Sequence, residues 1–201
     1  MMILRSSPFS PFGRKVKIAM HHLALADRIE VVTADTADPA DSLRGQNPLG
    51  KIPVLILENG ETLFDSRVIL EYLDHLAGGG IILPAGEARF PVLRLQAIAD
   101  GVMDASILQV YERRMRPAER QHPEWTTYQA EKVARALAIL EAAPPARDRV
   151  DVGTIALACA LGYLDLRFPG TWRDAHPALV RWLEGFESTA PSFDKTRPPS
   201  A

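Results

Sequence analysis

Apolar residues change their spacing several times along this chain, and each change marks an element. Met2, Ile3 and Leu4 form a short apolar run ending at Ser6, which predicts a strand. From Pro11 to about Leu23 the apolar residues recur at helical intervals, and from Arg28 to Thr33 they alternate again, so the opening reads β-α-β. A polar connector from Asp35 to Gly50 follows. Val54 to Leu57, the turn signal Glu58-Asn59-Gly60-Glu61 and Thr62 to Phe64 then predict a hairpin. Behind Asp65-Ser66, the spacing of Val68, Ile69, Tyr72 and Leu73 predicts a helix with one apolar face.

Gly78-Gly79-Gly80 ends that helix, and beyond it the pattern becomes helical throughout. The segments Ala88 to Met115, Trp125 to Ala142, Val152 to Leu166 and His176 to Glu187 each carry the 3.6-residue rhythm. Pro144-Pro145 stops the second of these. The third is apolar nearly all round, which predicts a central position in a helical bundle. The tail from Asp194 to Ala201 is polar and proline-rich and is expected to pack poorly. The division expected from these patterns is a first domain over 1–78, a linker over 79–86 and an all-helical domain over 87–201.

With 201 residues the chain is long enough to bury a substantial core without staples. Its net charge of -2, with both signs mixed along the length, presents no basic face for nucleic acid and no polybasic membrane anchor. No apolar run approaches the ~20 residues of a membrane span and no signal-like segment opens the chain, so a cytoplasmic location is expected. The single cysteine, Cys159, lies in an apolar run and reads as a buried small hydrophobe. The five histidines show no metal-ligand spacing, so neither a metal nor a nucleotide cofactor is expected. His21 and His22 fall at a predicted helix end, where the imidazolium form is favoured.

Two places carry candidate chemistry. Ser10-Pro11 sits where the first strand gives way to a helix: serine at the N-cap, proline in the first helical position. Such a helix start also offers unpaired N–H donors and a partial positive charge, which favour an anion. Asp65-Ser66 opens the later helix in the same way. Asp151 and Thr154 suggest a capping box at the start of the apolar helix.

Taken together, Ser10-Pro11-Phe12, the block Asn47-Pro48-Leu49-Gly50-Lys51-Ile52-Pro53-Val54-Leu55 and the block Phe64-Asp65-Ser66-Arg67-Val68-Ile69-Leu70-Glu71-Tyr72-Leu73 resemble the glutathione S-transferase family. The detail is similar to bacterial members with serine at the active-site turn. Over the whole chain the resemblance implies a thioredoxin-like α/β domain, β-α-β-α-β-β-α, followed by an all-α domain. It implies a transferase that joins glutathione, as co-substrate, to a small hydrophobic electrophile at an interdomain cleft, in a detoxifying homodimer.

Residue by residue, the resemblance gives Ser10 the role of donor to the glutathione sulfur, with Ser7 as the fallback hydroxyl. It implies a cis bond before Pro53 that frees the Ile52 backbone to pair with the cysteinyl unit. Ser66 and Asp65 would take the γ-glutamyl carboxylate and ammonium, Lys51 would approach the glycyl carboxylate, and Phe12 would line the pocket. The electrophile would meet Met103, Ser106, Ile107, Val110 and Tyr111 on the long helix. The absence of cysteine at both Ser10 and Gly13 argues against dithiol redox chemistry. Two alternatives stay open: a noncatalytic scaffold that kept the fold, and another glutathione-dependent reaction such as peroxide reduction, isomerisation or dehalogenation. The family often has serine or threonine at the cap of the core helix and aspartate three residues on; here Asp151 and Thr154 exchange those places.

Overall fold

Packing in the computed structural model, which describes residues 1–199, divides the chain into two units. The first runs from Met1 to Val92 and regains the segment from Ala190 onward; the second is Leu93–Thr189.

Four strands form the sheet of the first unit, in the order β2-β1-β3-β4. β1 (Met2–Ser6) pairs parallel with β2 (Ile29–Thr33) and antiparallel with β3 (Val54–Ile56), which pairs antiparallel with β4 (Thr62–Leu63). A parallel pair needs a crossover, and α1 (Pro11–His22) supplies it. α3 (Ser66–Leu76) packs beside α1, and Leu4, Val16, Leu55, Ile69, Leu70 and Leu73 are completely buried in this unit. The four strands and the helices α1 and α3 fall where the alternation and helical rhythm place them.

The polar connector is more ordered than its composition suggests. It carries a one-turn helix, α2 (Leu43–Gln46), which completes the β-α-β-α-β-β-α order. Arg5, pointing out of the buried central strand, organises it: its guanidinium pairs with both Asp41 oxygens at 2.7 and 3.0 Å and donates to Ser42 Oγ at 2.9 Å. The N–H groups of Asp35 and Leu43, together with Arg5, hold the Asp41 carboxyl below its ordinary pKa.

Both ends of this unit are held by specific contacts, which corrects the expectation of a poorly packed tail. The Gly-rich stretch after α3 is tied down, because the buried carboxylate of Asp74 accepts from the N–H groups of Gly80, Ile81 and Ile82 at 2.7–2.9 Å. Gly78, Gly79 and Gly80 all have positive φ, which lets the chain wrap that carboxylate. The tail is docked as well. α8 (Ser192–Lys195) buries Phe193, and Arg14 of α1 donates to the Phe193 carbonyl at 2.8 Å with its guanidinium 3.9 Å from the Phe193 ring centroid. Thr196 is buried beside it, whereas Ser200 and Ala201 lie outside the described residues.

The second unit holds most of α4 (Arg89–Met115) and all of α5 (Pro123–Ala142), α6 (Val152–Arg167) and α7 (Pro177–Thr189). α6 is buried at every residue from Val152 to Leu161, Cys159 included, as its apolar circumference requires. Its capping box is complete in the exchanged form: Asp151 Oδ1 accepts from Gly153 and Thr154 N–H at 3.0 and 2.9 Å, and Thr154 Oγ1 accepts from Asp151 N–H at 2.9 Å. α5 starts earlier than its apolar rhythm indicates, because His122 Nδ1 caps the Trp125 N–H at 3.2 Å and Pro123 occupies the first turn.

Candidate functional site

Ser10 ends the loop after β1 in an extended conformation, φ -79° and ψ 117°, as an N-cap requires. Its Oγ accepts from Gly13 N–H at 3.0 Å, and its carbonyl accepts the first helical bond from Arg14 N–H at 2.9 Å. A hydroxyl that accepts from inside the helix keeps its own hydrogen for another acceptor. Ser10 is half-buried. Ser7, the fallback hydroxyl, accepts from Phe9 N–H at 3.3 Å and lines a separate cleft of about 210 Å³ shared with Lys17, His21 and Thr33, which Ser10 does not line.

The second helix start is built alike, with the roles divided between neighbours. Asp65 is the N-cap of α3, its Oδ1 accepting from Arg67 N–H at 2.9 Å, and its side chain is exposed. Ser66 is buried, and its Oγ accepts from Lys15 Nζ at 3.1 Å. Lys15 belongs to α1, so this bond ties the two helix starts together; the ammonium also lies 5.5 Å from the Phe12 ring centroid. Phe12 is half-buried.

The loop before β3 contributes backbone. The Ile52–Pro53 bond is cis, as the family resemblance implies, and the Phe64–Asp65 bond is cis too. Ile52 and Phe64 pack on the cluster of Ala34, Leu43 and Val54, which brings this loop beside the residue preceding Asp65. Asn47, almost fully buried, sets the loop's path: its Nδ2 donates to the Lys51 carbonyl at 2.9 Å and its Oδ1 accepts from Leu49 N–H at 3.0 Å. Gly50, at φ +61°, makes the left-handed turn between them. The Lys51 side chain is exposed.

Two helix starts that carry serine hydroxyls, joined by a buried lysine, suit an anionic ligand, and a neighbouring loop with a cis X-Pro bond suits an extended peptide. Residues 9–76 match the family description "Glutathione S-transferase, N-terminal domain" and residues 101–185 match "Glutathione S-transferase, C-terminal domain". The chain belongs to the glutathione S-transferase family. Its thioredoxin-like unit and helical unit are the two parts of that fold. It is 37% identical over 207 residues to the uncharacterized GST-like protein YibF of Escherichia coli K12, covering 100% of both chains. A glutathione transferase family member from Pseudomonas fluorescens Pf-5, solved with bound glutathione, is 42% identical with a TM-score of 0.93, over 99% of this chain and 100% of that one. The glutathione S-transferase of Methylobacillus flagellatus, also with glutathione bound, is 36% identical with a TM-score of 0.89, over 98% and 100%.

Within the helical unit, the five residues expected to meet the electrophile differ in access. Met103 and Ser106 are completely buried, the Ser106 hydroxyl donating to the Val102 carbonyl at 2.7 Å, so neither offers surface to a ligand here. Ile107 and Val110 are half-buried and Tyr111 is exposed. His21 and His22 occupy the last turn of α1, but the imidazolium expectation fails: burial lowers the pKa of both, and Lys195 lowers that of His21 further. Among the described residues no helix is long and apolar enough to cross a membrane.

Lys15 escapes a reading of composition and motif, and Asn47, which opens a motif block, has no role of its own in that reading. Lys15 had one legible signal. It lies four residues after Pro11 and three before Ile18, on the face of α1 that the apolar spacing turns inward.

Proposed function

We propose that this chain is a glutathione transferase that joins the glutathione thiolate to a small hydrophobic electrophile. In this reading the tripeptide lies extended along the Ile52 backbone, before Pro53. Its γ-glutamyl end meets Ser66 and Asp65, its glycyl carboxylate approaches Lys51, and its sulfur faces the Ser10 hydroxyl beside Phe12. The observation that carries the proposal is the Lys15–Ser66 bond at 3.1 Å, which joins the α1 and α3 starts into one anion-favouring surface. Glutathione in the solved relatives of 42% and 36% identity supports the same choice of ligand.

The chemistry is within reach of the groups present. A free thiol with a pKa near 8.5 is only a few per cent ionised at neutral pH, and lowering it by ~2 units requires about 2.7 kcal/mol. A charge-assisted hydrogen bond supplies about 1.5–3 kcal/mol and a helix start about 0.3–1. The thiol proton leaves to solvent, the thiolate carries its electron pair to an electrophilic carbon, and either a leaving group departs with its bonding electrons or an activated double bond accepts them. Ser10 donates to the sulfur throughout and need not act as a base.

Calorimetric titration with reduced glutathione, followed by turnover on a panel of chloronitroarenes, activated alkenes and epoxides, tests the reading. Binding together with conjugate formation is the expected result. Binding without any conjugate would leave a scaffold, and no binding would remove the proposal altogether.

A further inference from the structure

We infer that Lys15 is the positioning residue of the glutathione site: through Ser66 it makes α3's start specific for the α-carboxylate of the γ-glutamyl unit. The inference rests on the transferase reading above and adds to it a residue that does not itself line the ligand.

Lys15 has no solvent exposure, although it carries an ammonium in the interior of α1. A buried ammonium needs hydrogen-bond partners, and Ser66 is one of them. Its Nζ lies 3.1 Å from Ser66 Oγ. An ammonium has three donors and no acceptor, so the direction of that bond is settled: lysine donates and the serine oxygen accepts. Ser66 must then direct its own hydrogen away from Lys15. Without the ammonium, the hydroxyl could rotate and donate elsewhere. With it, the hydroxyl hydrogen is kept for an acceptor other than Lys15, at the first residue of a helix whose N–H groups also favour negative charge. Two contributions therefore coincide at one point: an oriented neutral donor and a buried positive charge directly behind it, where low local dielectric strengthens both.

The same geometry assigns selectivity. Asp65, exposed beside Ser66 and capping the helix through Arg67 N–H, offers a carboxylate to the ligand's ammonium. Lys15 and Ser66 act on the ligand's carboxylate. A ligand that keeps the amino group and lacks the α-carboxylate should lose the Lys15 contribution and retain that of Asp65.

The test compares two ligands on two proteins by calorimetry. Reduced glutathione and γ-aminobutyryl-cysteinyl-glycine, which keeps the ammonium and lacks the α-carboxylate, are titrated into the wild-type chain and into Lys15→Met, which preserves length and apolar volume. The expected result is a loss of roughly tenfold in glutathione affinity on substitution, the size of a hydrogen bond to a charged group, with the affinity for the analogue unchanged. An equal loss for both ligands, or no loss for either, overturns the inference. Failure of the wild-type protein to bind glutathione would instead remove the transferase reading. Should Lys15→Met not fold, the Lys15 ammonium nitrogen resonance of the unmodified protein carries the test: it should shift on adding glutathione and stay in place with the analogue, and equal shifts would overturn the inference.

Discussion

Ser6 and Gly13 approach so closely that a β-carbon on the glycine would fall well inside the contact distance of the serine hydroxyl oxygen. The helix that Ser10 caps is thereby pressed against the end of β1, and Gly13 is also the residue whose N–H the Ser10 hydroxyl oxygen caps. Any side chain at this position, a second cysteine included, forces Ser6 to move within a site that is 1% exposed. Gly13→Ala should therefore destabilise the fold by about 1–3 kcal/mol, the usual range for overpacking. Ser6→Ala in the same chain should recover part of that loss, because it removes the nearest atom. Urea midpoints of the two single variants and the double variant check this, and strictly additive losses would show that the contact is not the cause.

Ser10→Ala removes two things at once. Loss of the cap should cost about 1 kcal/mol of stability. Loss of the donor should raise the pKa of bound glutathione thiol by roughly one to two units, since a charge-assisted hydrogen bond of about 1.5–3 kcal/mol disappears. Ultraviolet titration of thiolate absorbance in the complex measures the second effect separately from the first. An unchanged thiol pKa and unchanged turnover would take the chemistry away from Ser10 and return attention to backbone donors near Phe12.

Glu141, at the end of α5, caps α7 from a distance: its two oxygens accept from Ala178 and Leu179 N–H at 2.8 and 2.9 Å. Burial pushes its carboxyl pKa up, but those two donors, with His176 and Arg181 nearby, overcome that and hold it below the ordinary 4.5. A depressed carboxylate pKa means that the unfolded chain binds the proton more readily. The stabilisation is fully present above the ordinary value and is lost as pH falls through the lower, folded value. Glu141→Gln should lower the thermal midpoint at neutral pH. The gap between wild type and variant should narrow as pH drops below 4.5, and a gap that stays constant into acid would contradict the assignment.

Arg14 holds the tail by a hydrogen bond to the Phe193 carbonyl and by lying over its ring. Arg14→Ala should release residues 192–197 while leaving the sheet intact. Hydrogen exchange would register it as a fall of roughly tenfold or more in amide protection confined to that segment, matching the loss of a bond from a charged donor. Uniform protection loss across the first unit would mean that Arg14 supports the fold as a whole.

What could be read from the residues alone followed from local rules. A short apolar run placed β1 and alternation β2, helical rhythm placed α1, α3 and the four long helices of the second half, and Ser10-Pro11 and Asp65-Ser66 announced helix starts because capping depends on residues only two or three apart. The motif blocks around Pro53 and Ser66 carried the family. Tertiary packing decided the rest, in each case because the partner is distant in the chain. Arg5 orders a connector 36 residues away, Glu141 caps a helix 38 residues away, and Arg14 secures a tail 179 residues away. Lys15 reads as one more charge on a helix until folding sets it against Ser66, 51 residues on. A hydrogen bond or a buried charge acquires its meaning from what stands opposite it, and only the folded chain brings the two sides together.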